Sequence, residues 1–404
     1  MPYEKLFSPI KLGPLQLKNR IVYPATSSQF ALENGYASDK NVAWYEQIAK
    51  GGVGMIVIEA TAIHNRASGT LLRLSDDSYI EGFKRIVDGV HKHGIPCGVQ
   101  LVHWLASNTK YHAEPTSLSR DEIDDIVRQF AAAAKRAFAA GVDFVQPHAA
   151  HAYTLASFLS PLNNQRTDEY GGNVKKRAKI LIDVLEAIRK ECGADAVVNF
   201  RINGDDFIAG GLTNQHARET AKILEAAGVP WIDVSAGANY SDGRWYVGYS
   251  GLRMVPTKDF PELCNLYLME EIKKAVNIPV QGVGRIPMPD VAERVLQENR
   301  VDLVGICRPI ISDPEWPIKA MEGREKKIRK CLYCANCVDT QRHFKPLSCP
   351  VWKNGRNGDS MFKFEPLPED AKVEHLPITY DRVPYATFGH IYVPHVHQFP
   401  PREK

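Results

Sequence analysis

Three proton-bearing side chains stand within six positions of one another: His148, His151 and Tyr153. They follow an apolar run, Val142 to Pro147, that reads as a buried strand. Holding such groups in a core costs free energy unless they are hydrogen-bonded or used. At the end of a strand in a barrel of strand–helix units, they fall where active sites sit. A single histidine there reads as an ordinary hydrogen-bonded residue of a capping loop, whereas the constellation points to proton transfer or the anchoring of developing charge. Arg201 is a second signal, a cation inside an apolar strand. It needs an anionic or electron-rich partner, or a buried ion pair with a carboxylate such as Glu59. The third signal is C-x2-C-x2-C-x11-C, formed by Cys331, Cys334, Cys337 and Cys349, with Pro350 after the last. That spacing suits thiolates around a [4Fe–4S] cluster. Four cysteines also suit structural zinc, although zinc sites more often use two separated C-x2-C pairs.

Repeating units must position these groups. Residues 8–20, SPIKLGPLQLKNR, alternate around Gly13-Pro14 as a hairpin that would plug the bottom of a barrel. Eight apolar runs follow: 21–25, 55–60, 96–101, 144–147, 197–202, 231–235, 278–281 and 301–305. Helical patterns lie between them, among them 120–140, 174–190 and 213–227. Asp121 and Glu122 suit the positive end of the first of these helices. Eight such β-then-α units predict a (β/α)8 TIM barrel with an N-terminal hairpin and a small cysteine-rich C-terminal extension. Polar residues follow the runs as a site at the strand ends requires: Thr26, Ser27 and Ser28, then Thr61 and His64, then Gln100 and His103, and later Asn203. The last two runs end in GVGRI (282–286) and GICRPI (305–310). Gly284 lets backbone approach a phosphate there, and Arg285 and Arg308 supply charge. The chain divides into a barrel (1–325), a four-cysteine segment (326–352) and an extended tail (353–404) rich in Pro, Tyr and His.

The chain has 404 residues, 44% hydrophobic and 24% charged, with a formal charge of +3. This is a globular composition, and so small a charge implies no nucleic-acid partner. No apolar run approaches the roughly 20 residues of a membrane helix. The N-terminal MPYEKLFSPIKLG shows no secretory pattern, so eight cysteines point to a reduced, cytoplasmic setting rather than a disulfide scaffold. No GxGxxG follows a strand near the C-terminus, so an internal pyridine-nucleotide domain is not expected. The expected electron source is NAD(P)H or a separate donor protein that passes electrons singly.

The segments HAAHAY (148–153), FLSPLNNQRTDEYGG (158–172), GVGRI and GICRPI followed by SDPEWPIKA resemble, in order, the Old Yellow Enzyme family of FMN-dependent barrels. The cysteine motif is similar to that of its iron–sulfur branch, which includes 2,4-dienoyl-CoA reductase and trimethylamine dehydrogenase. The resemblance spans about residues 5–350 and implies two cofactors, FMN and a [4Fe–4S] cluster. It places Ala25, Thr26, Ser27, Ala60, Gln100 and Arg201 against the flavin, and Gly284, Arg285, Cys307 and Arg308 around its phosphate. Cys307 stands where the family usually has glycine. Some relatives bond flavin covalently through a cysteine at the Ser27 position, so serine there implies non-covalent FMN. The resemblance makes His148 and His151 the anchors of a substrate carbonyl and Tyr153 the proton donor. Amine-oxidising relatives carry Tyr at the first of these positions, so His148 favours an ene-reductase acting on an activated C=C bond. The cysteine spacing is nearer the amine dehydrogenases, which keeps oxidative N-demethylation open. A non-redox, zinc-tailed barrel serving as a binding subunit is the alternative of another class. Trp104, Tyr111, His112, Tyr240, Trp245, Tyr246 and Tyr249 either pack their own loops or roof a pocket for a flat, apolar substrate. A homo-oligomer is compatible with all of this.

Overall fold

The computed structural model describes residues 2–64, 70–104, 115–238, 248–342 and 344–352. Strands β1 (Ile10–Leu12) and β2 (Leu15–Leu17) form the expected hairpin. Eight parallel strands close into a barrel: β3 (Ile21–Tyr23), β4 (Met55–Ala62), β5 (Cys97–Val102), β6 (Phe144–Ala149), β7 (Phe200–Asn203), β8 (Ile232–Ser235), β9 (Val280–Val283) and β10 (Leu303–Gly305). They pair in chain order, and β10 returns to β3. Their residues are almost all buried, as strands covered on both faces must be, so the sequence shows them as short apolar runs rather than alternations.

Helices α1 (Asp39–Lys50), α2 (Ile80–His91) and α3 (Arg120–Ala139) follow β3, β4 and β5. Ser119 caps α3 in a reciprocal capping box with Glu122, which satisfies N–H groups the helix start leaves unpaired. Beyond β6 come α4 (Thr154–Leu159), α5 (Val174–Arg177) and α6 (Lys179–Cys192); α7 (Asn214–Ala226) follows β7. The single helix expected over 174–190 is thus two, broken at Ala178. The circuit continues with α8 (Gly248–Met254), α9 (Leu266–Lys273), α10 (Pro289–Gln297), α11 (Arg308–Ser312), α12 (Trp316–Met321) and α13 (Asn336–Arg342). No described helix is long and apolar enough to cross a membrane.

Leu12 and Leu17 of the hairpin pack with Met55, Phe144, Trp231 and Leu303, residues at the starts of barrel strands. This apolar plug closes one end of the barrel and leaves the strand C-termini for chemistry. Gly98 permits the tight closure, because a Cβ there would lie 2.3 Å from the Phe144 ring.

The cysteine segment folds back onto the barrel. Asp313, fully buried, accepts hydrogen bonds from Lys319 Nζ at 2.7 Å and from the Arg329 amide at 2.9 Å. Leu347 N donates to Ser28 O at 2.8 Å, and the Gln341 side chain donates to Ser27 O. Trp352 donates its indole N–H to Ile311 O at 2.9 Å and packs against Trp44, ring centroids 6.0 Å apart. The chain from 324 to 352 is therefore fastened to the loop after β3 and to the helix after β10. The tail 353–404 lies outside the described residues.

Candidate active site

β6 runs two residues beyond the apolar stretch expected from sequence, so His148 lies within the strand, opposite Arg201 of β7. Its ring is 4.9 Å from both His151 and Tyr153. The chain then turns through two successive left-handed residues, His151 (φ 62°) and Ala152 (φ 63°). Residues other than glycine adopt that conformation where surrounding structure imposes it, often at functional sites. Here His151 is held by its bridge to Ala238 and by Ser235 Oγ, 2.7 Å from Nε2. Tyr153 sits at the start of α4 and packs against Ala62, Val102 and Trp104.

Burial and the Arg201 cation press both imidazoles well below the ordinary histidine pKa; for His151 the neighbouring His148 adds to this. Both are neutral near pH 7, so each offers one N–H and no charge. Arg201 donates to Asp233 Oδ2 (2.9 Å) and to Ser235 Oγ (3.1 Å). Its ion-pair partner is therefore Asp233, which the β7–β8 register places opposite, and not Glu59. Burial raises the Asp233 carboxyl pKa while Arg201 opposes the rise. Arginine can only donate, so the Ser235 hydroxyl hydrogen is available to His151 Nε2, an arrangement that favours the His151 proton on Nδ1. Gln100 Nε2 donates to Gln146 Oε1 (2.7 Å), and Gln146 Nε2 donates to Asp233 (3.4 Å). A continuous polar network thus crosses the mouth of the barrel from β5 to β8.

Glu59 does different work. Fully buried, it accepts from Ser28 N (2.7 Å) and Ser28 Oγ (2.5 Å), and burial lifts its pKa to about 7. It fixes the turn that presents Ala25, Thr26 and Ser27.

A single cavity is lined by Ala25, Thr26, Ser27, Ala60, Gln100, His148, His151, Tyr153, Arg201, Gly284, Arg285, Cys307 and Arg308. These are all thirteen residues singled out for catalysis or flavin contact. Five buried polar atoms on the cavity lining have no hydrogen-bond partner among the described residues: His148 Nδ1, Arg201 Nε, Asn265 Oδ1, Arg285 Nε and Tyr333 Oη. Such atoms are rare unless something else satisfies them. Gly284 takes φ 119°, a backbone conformation suited to glycine, whereas Cys307 has φ −94°, which any residue adopts. Its thiol sits 3.0 Å from Thr26 Oγ1, which accommodates the departure from glycine.

The sequence reading did not identify Met254, Val255, Pro256, Asn265, Tyr333, Val338 and Gln341, which also line the cavity. Only tertiary folding brings α8 and the cysteine segment there. Trp104, by contrast, is buried edge-on against His64, centroids 4.2 Å apart, behind Tyr153. Tyr111, His112, Tyr240, Trp245 and Tyr246 lie outside the described residues, as does the side chain of Tyr249.

Cys331, Cys334, Cys337 and Cys349 all line a second, smaller cavity, and none forms a disulfide. Among the described residues no group of three or more His, Cys, Asp or Glu is placed so that it could hold a metal ion. Burial raises the thiol pKa of Cys331, Cys337 and Cys349, partly opposed at the first two by Arg308, so ionising them calls for bound cations. The two cavities share a wall made of Arg308, Ile311, Tyr333 and Cys337.

The sequence model of the NADH:flavin oxidoreductase / NADH oxidase family matches residues 5–115 and 105–327. The chain is 35% identical over 353 residues to NADH oxidase of Thermoanaerobacter brockii, covering 82% of this chain and 53% of that protein. It is 34% identical over 336 residues to NADPH dehydrogenase of Listeria innocua, covering 79% of this chain and 94% of that one. A solved 2-naphthoyl-CoA reductase in complex with 2-naphthoyl-CoA superposes with a TM-score of 0.80 at 29% identity, covering 89% of this chain and 58% of that chain. The chain therefore spans a little over half the length of its longer relatives. With the barrel and its cavity in place, this chain belongs to the NADH:flavin oxidoreductase / NADH oxidase family.

Proposed function

We propose that the protein is an FMN- and [4Fe–4S]-dependent ene-reductase that reduces an activated C=C bond of an enone, enoate or enoyl thioester. The observation that carries this reading is the meeting of His148, His151, Tyr153 and Arg201 on one cavity, with both imidazoles neutral. The unpartnered Arg201 Nε and Arg285 Nε fit a bound flavin mononucleotide, with Gln100 and Arg201 along its ring and Gly284, Arg285 and Arg308 at its phosphate. The C-x2-C-x2-C-x11-C spacing, with all four thiols on one cavity, supports a [4Fe–4S] cluster, whereas zinc sites more often use two separated C-x2-C pairs. When bound, FMN would supply hydride chemistry and a cluster held by Cys331, Cys334, Cys337 and Cys349 would supply single-electron transfer.

The protein's own residues do the rest. The N–H groups of His148 and His151 hold the substrate's carbonyl oxygen, where negative charge builds as hydride reaches the β-carbon. A neutral imidazole donates there without the desolvation cost of a buried cation. Tyr153 gives its phenolic proton to the α-carbon. The Arg201–Asp233–Gln146–Gln100 network fixes the side chains that would hold the flavin ring. Electrons come from NAD(P)H or from a separate donor protein docking near the cysteine segment; the substrate is flat and apolar. This reading makes the chain a cytoplasmic enzyme with a flavin barrel (1–325), a cluster segment (326–352) and a tail (353–404).

The test is Tyr153→Phe, followed in separate half-reactions. Flavin reduction is expected to stay at the wild-type rate, and alkene reduction to slow by about 10²–10⁴-fold. Unchanged alkene reduction would remove Tyr153 from its role.

A further inference from the structure

Tyr333 lies inside the cysteine motif, between Cys331 and Cys334, in the left-handed conformation (φ 51°) that favours glycine. It is 5% exposed, and its hydroxyl has no partner among the described residues. Nothing about holding metal calls for a large aromatic ring in so strained a place. What its ring meets is two cations: the Arg285 guanidinium carbon 4.4 Å from the centroid and that of Arg308 at 4.7 Å. Neither arginine forms an ion pair among the described residues. Their side-chain hydrogen bonds go to carbonyls of one loop, Arg285 Nη1 to Thr257 O (3.3 Å) and Lys258 O (3.1 Å), and Arg308 Nη1 to Pro256 O (2.7 Å). That loop returns a bond to the same tyrosine, Lys258 N to Tyr333 O at 3.2 Å. Two like charges beside one ring repel, and an aromatic face offsets part of that cost. A dianion between them would offset more, and both arginines line the flavin cavity.

We infer that Tyr333 is a positioning residue for phosphate recognition: its ring holds Arg285 and Arg308 side by side, so that preference for a phosphorylated flavin over the unphosphorylated one is set from within the cysteine segment. This rests on the flavin reading above and adds to it a residue that touches both cavities.

The experiment is a titration of the full chain, freed of flavin, with FMN and separately with riboflavin, read by quenching of flavin fluorescence. Wild type and the variants Tyr333→Gly and Tyr333→Phe are compared. Glycine suits the backbone at this position, so the first variant relieves strain rather than adding it. The expected result is a fall of about tenfold or more in the FMN-over-riboflavin preference for Tyr333→Gly, with riboflavin affinity unchanged. Tyr333→Phe keeps the preference, because its ring still faces both cations. A preference intact in Tyr333→Gly overturns the inference, and so does an equal loss of affinity for both flavins, which marks a purely structural role. A wild type that does not discriminate between the two flavins overturns the phosphate site itself, and the inference with it.

Discussion

His148 and His151 differ from surface histidines because of what surrounds them. Burial and the fixed charge of Arg201 remove their protons, and the left-handed turn at 151–152 aims the second ring back toward the first. Their presence and order were legible in the sequence, but their neutrality was not, since it depends on burial in the folded barrel and on the Arg201 cation. Arg201 shows the same limit: a buried cation in a strand announces a partner, yet choosing Asp233 over Glu59 requires the β7–β8 register. Glu59 carries a prediction of its own. Its carboxyl pKa is about 7 in the fold against an ordinary 4.5, so the folded state binds this proton more tightly than the unfolded chain does. Its stabilising contribution is therefore complete below about pH 4.5 and is lost as pH rises through 7. The loss amounts to roughly 3 kcal/mol at most. Glu59→Gln should gain stability relative to wild type between pH 5 and pH 8, as measured by denaturant unfolding at several pH values. A stability difference independent of pH would show that Glu59 titrates normally.

At the scale of elements, the eight barrel strands were readable because strands buried on both faces leave apolar runs, and the hairpin because Gly-Pro marks its turn. The break at Ala178 was not, since nothing local interrupts the periodicity there. Least legible was the docking of the cysteine segment. Spacing indicated a metal motif, but not that Tyr333, Val338 and Gln341 would line the cavity at the strand C-termini. That docking hangs on Asp313, whose buried carboxylate receives Lys319 and the Arg329 amide. Asp313→Ala strands buried cations and should cost about 3–5 kcal/mol. If the proposed cluster is bound, the substitution should also speed iron loss to a chelator, because the segment is released from the barrel. Iron retained at the wild-type rate would mean that the contacts through Gln341, Leu347 and Trp352 suffice.

On the scale of the whole molecule, a hairpin plug at one end of the barrel leaves the strand C-termini as the only closed-barrel face open to chemistry among the described residues. The cysteine segment is fastened to that same face, and its cavity shares a wall with the larger one through Arg308, Ile311, Tyr333 and Cys337. On the proposed assignment, a flavin and a cluster bound in these two cavities would be divided by this shared wall, a short electron path from the cysteine segment to the barrel. The ultraviolet–visible spectrum of anaerobically purified protein, with flavin, iron and zinc assayed on the same sample, decides whether both groups are there. Flavin bands over a broad cluster absorption, with about four irons and one FMN per chain, are the predicted result. A colourless protein carrying one zinc would contradict the account, leaving the cysteine segment structural and the cavity without its redox role.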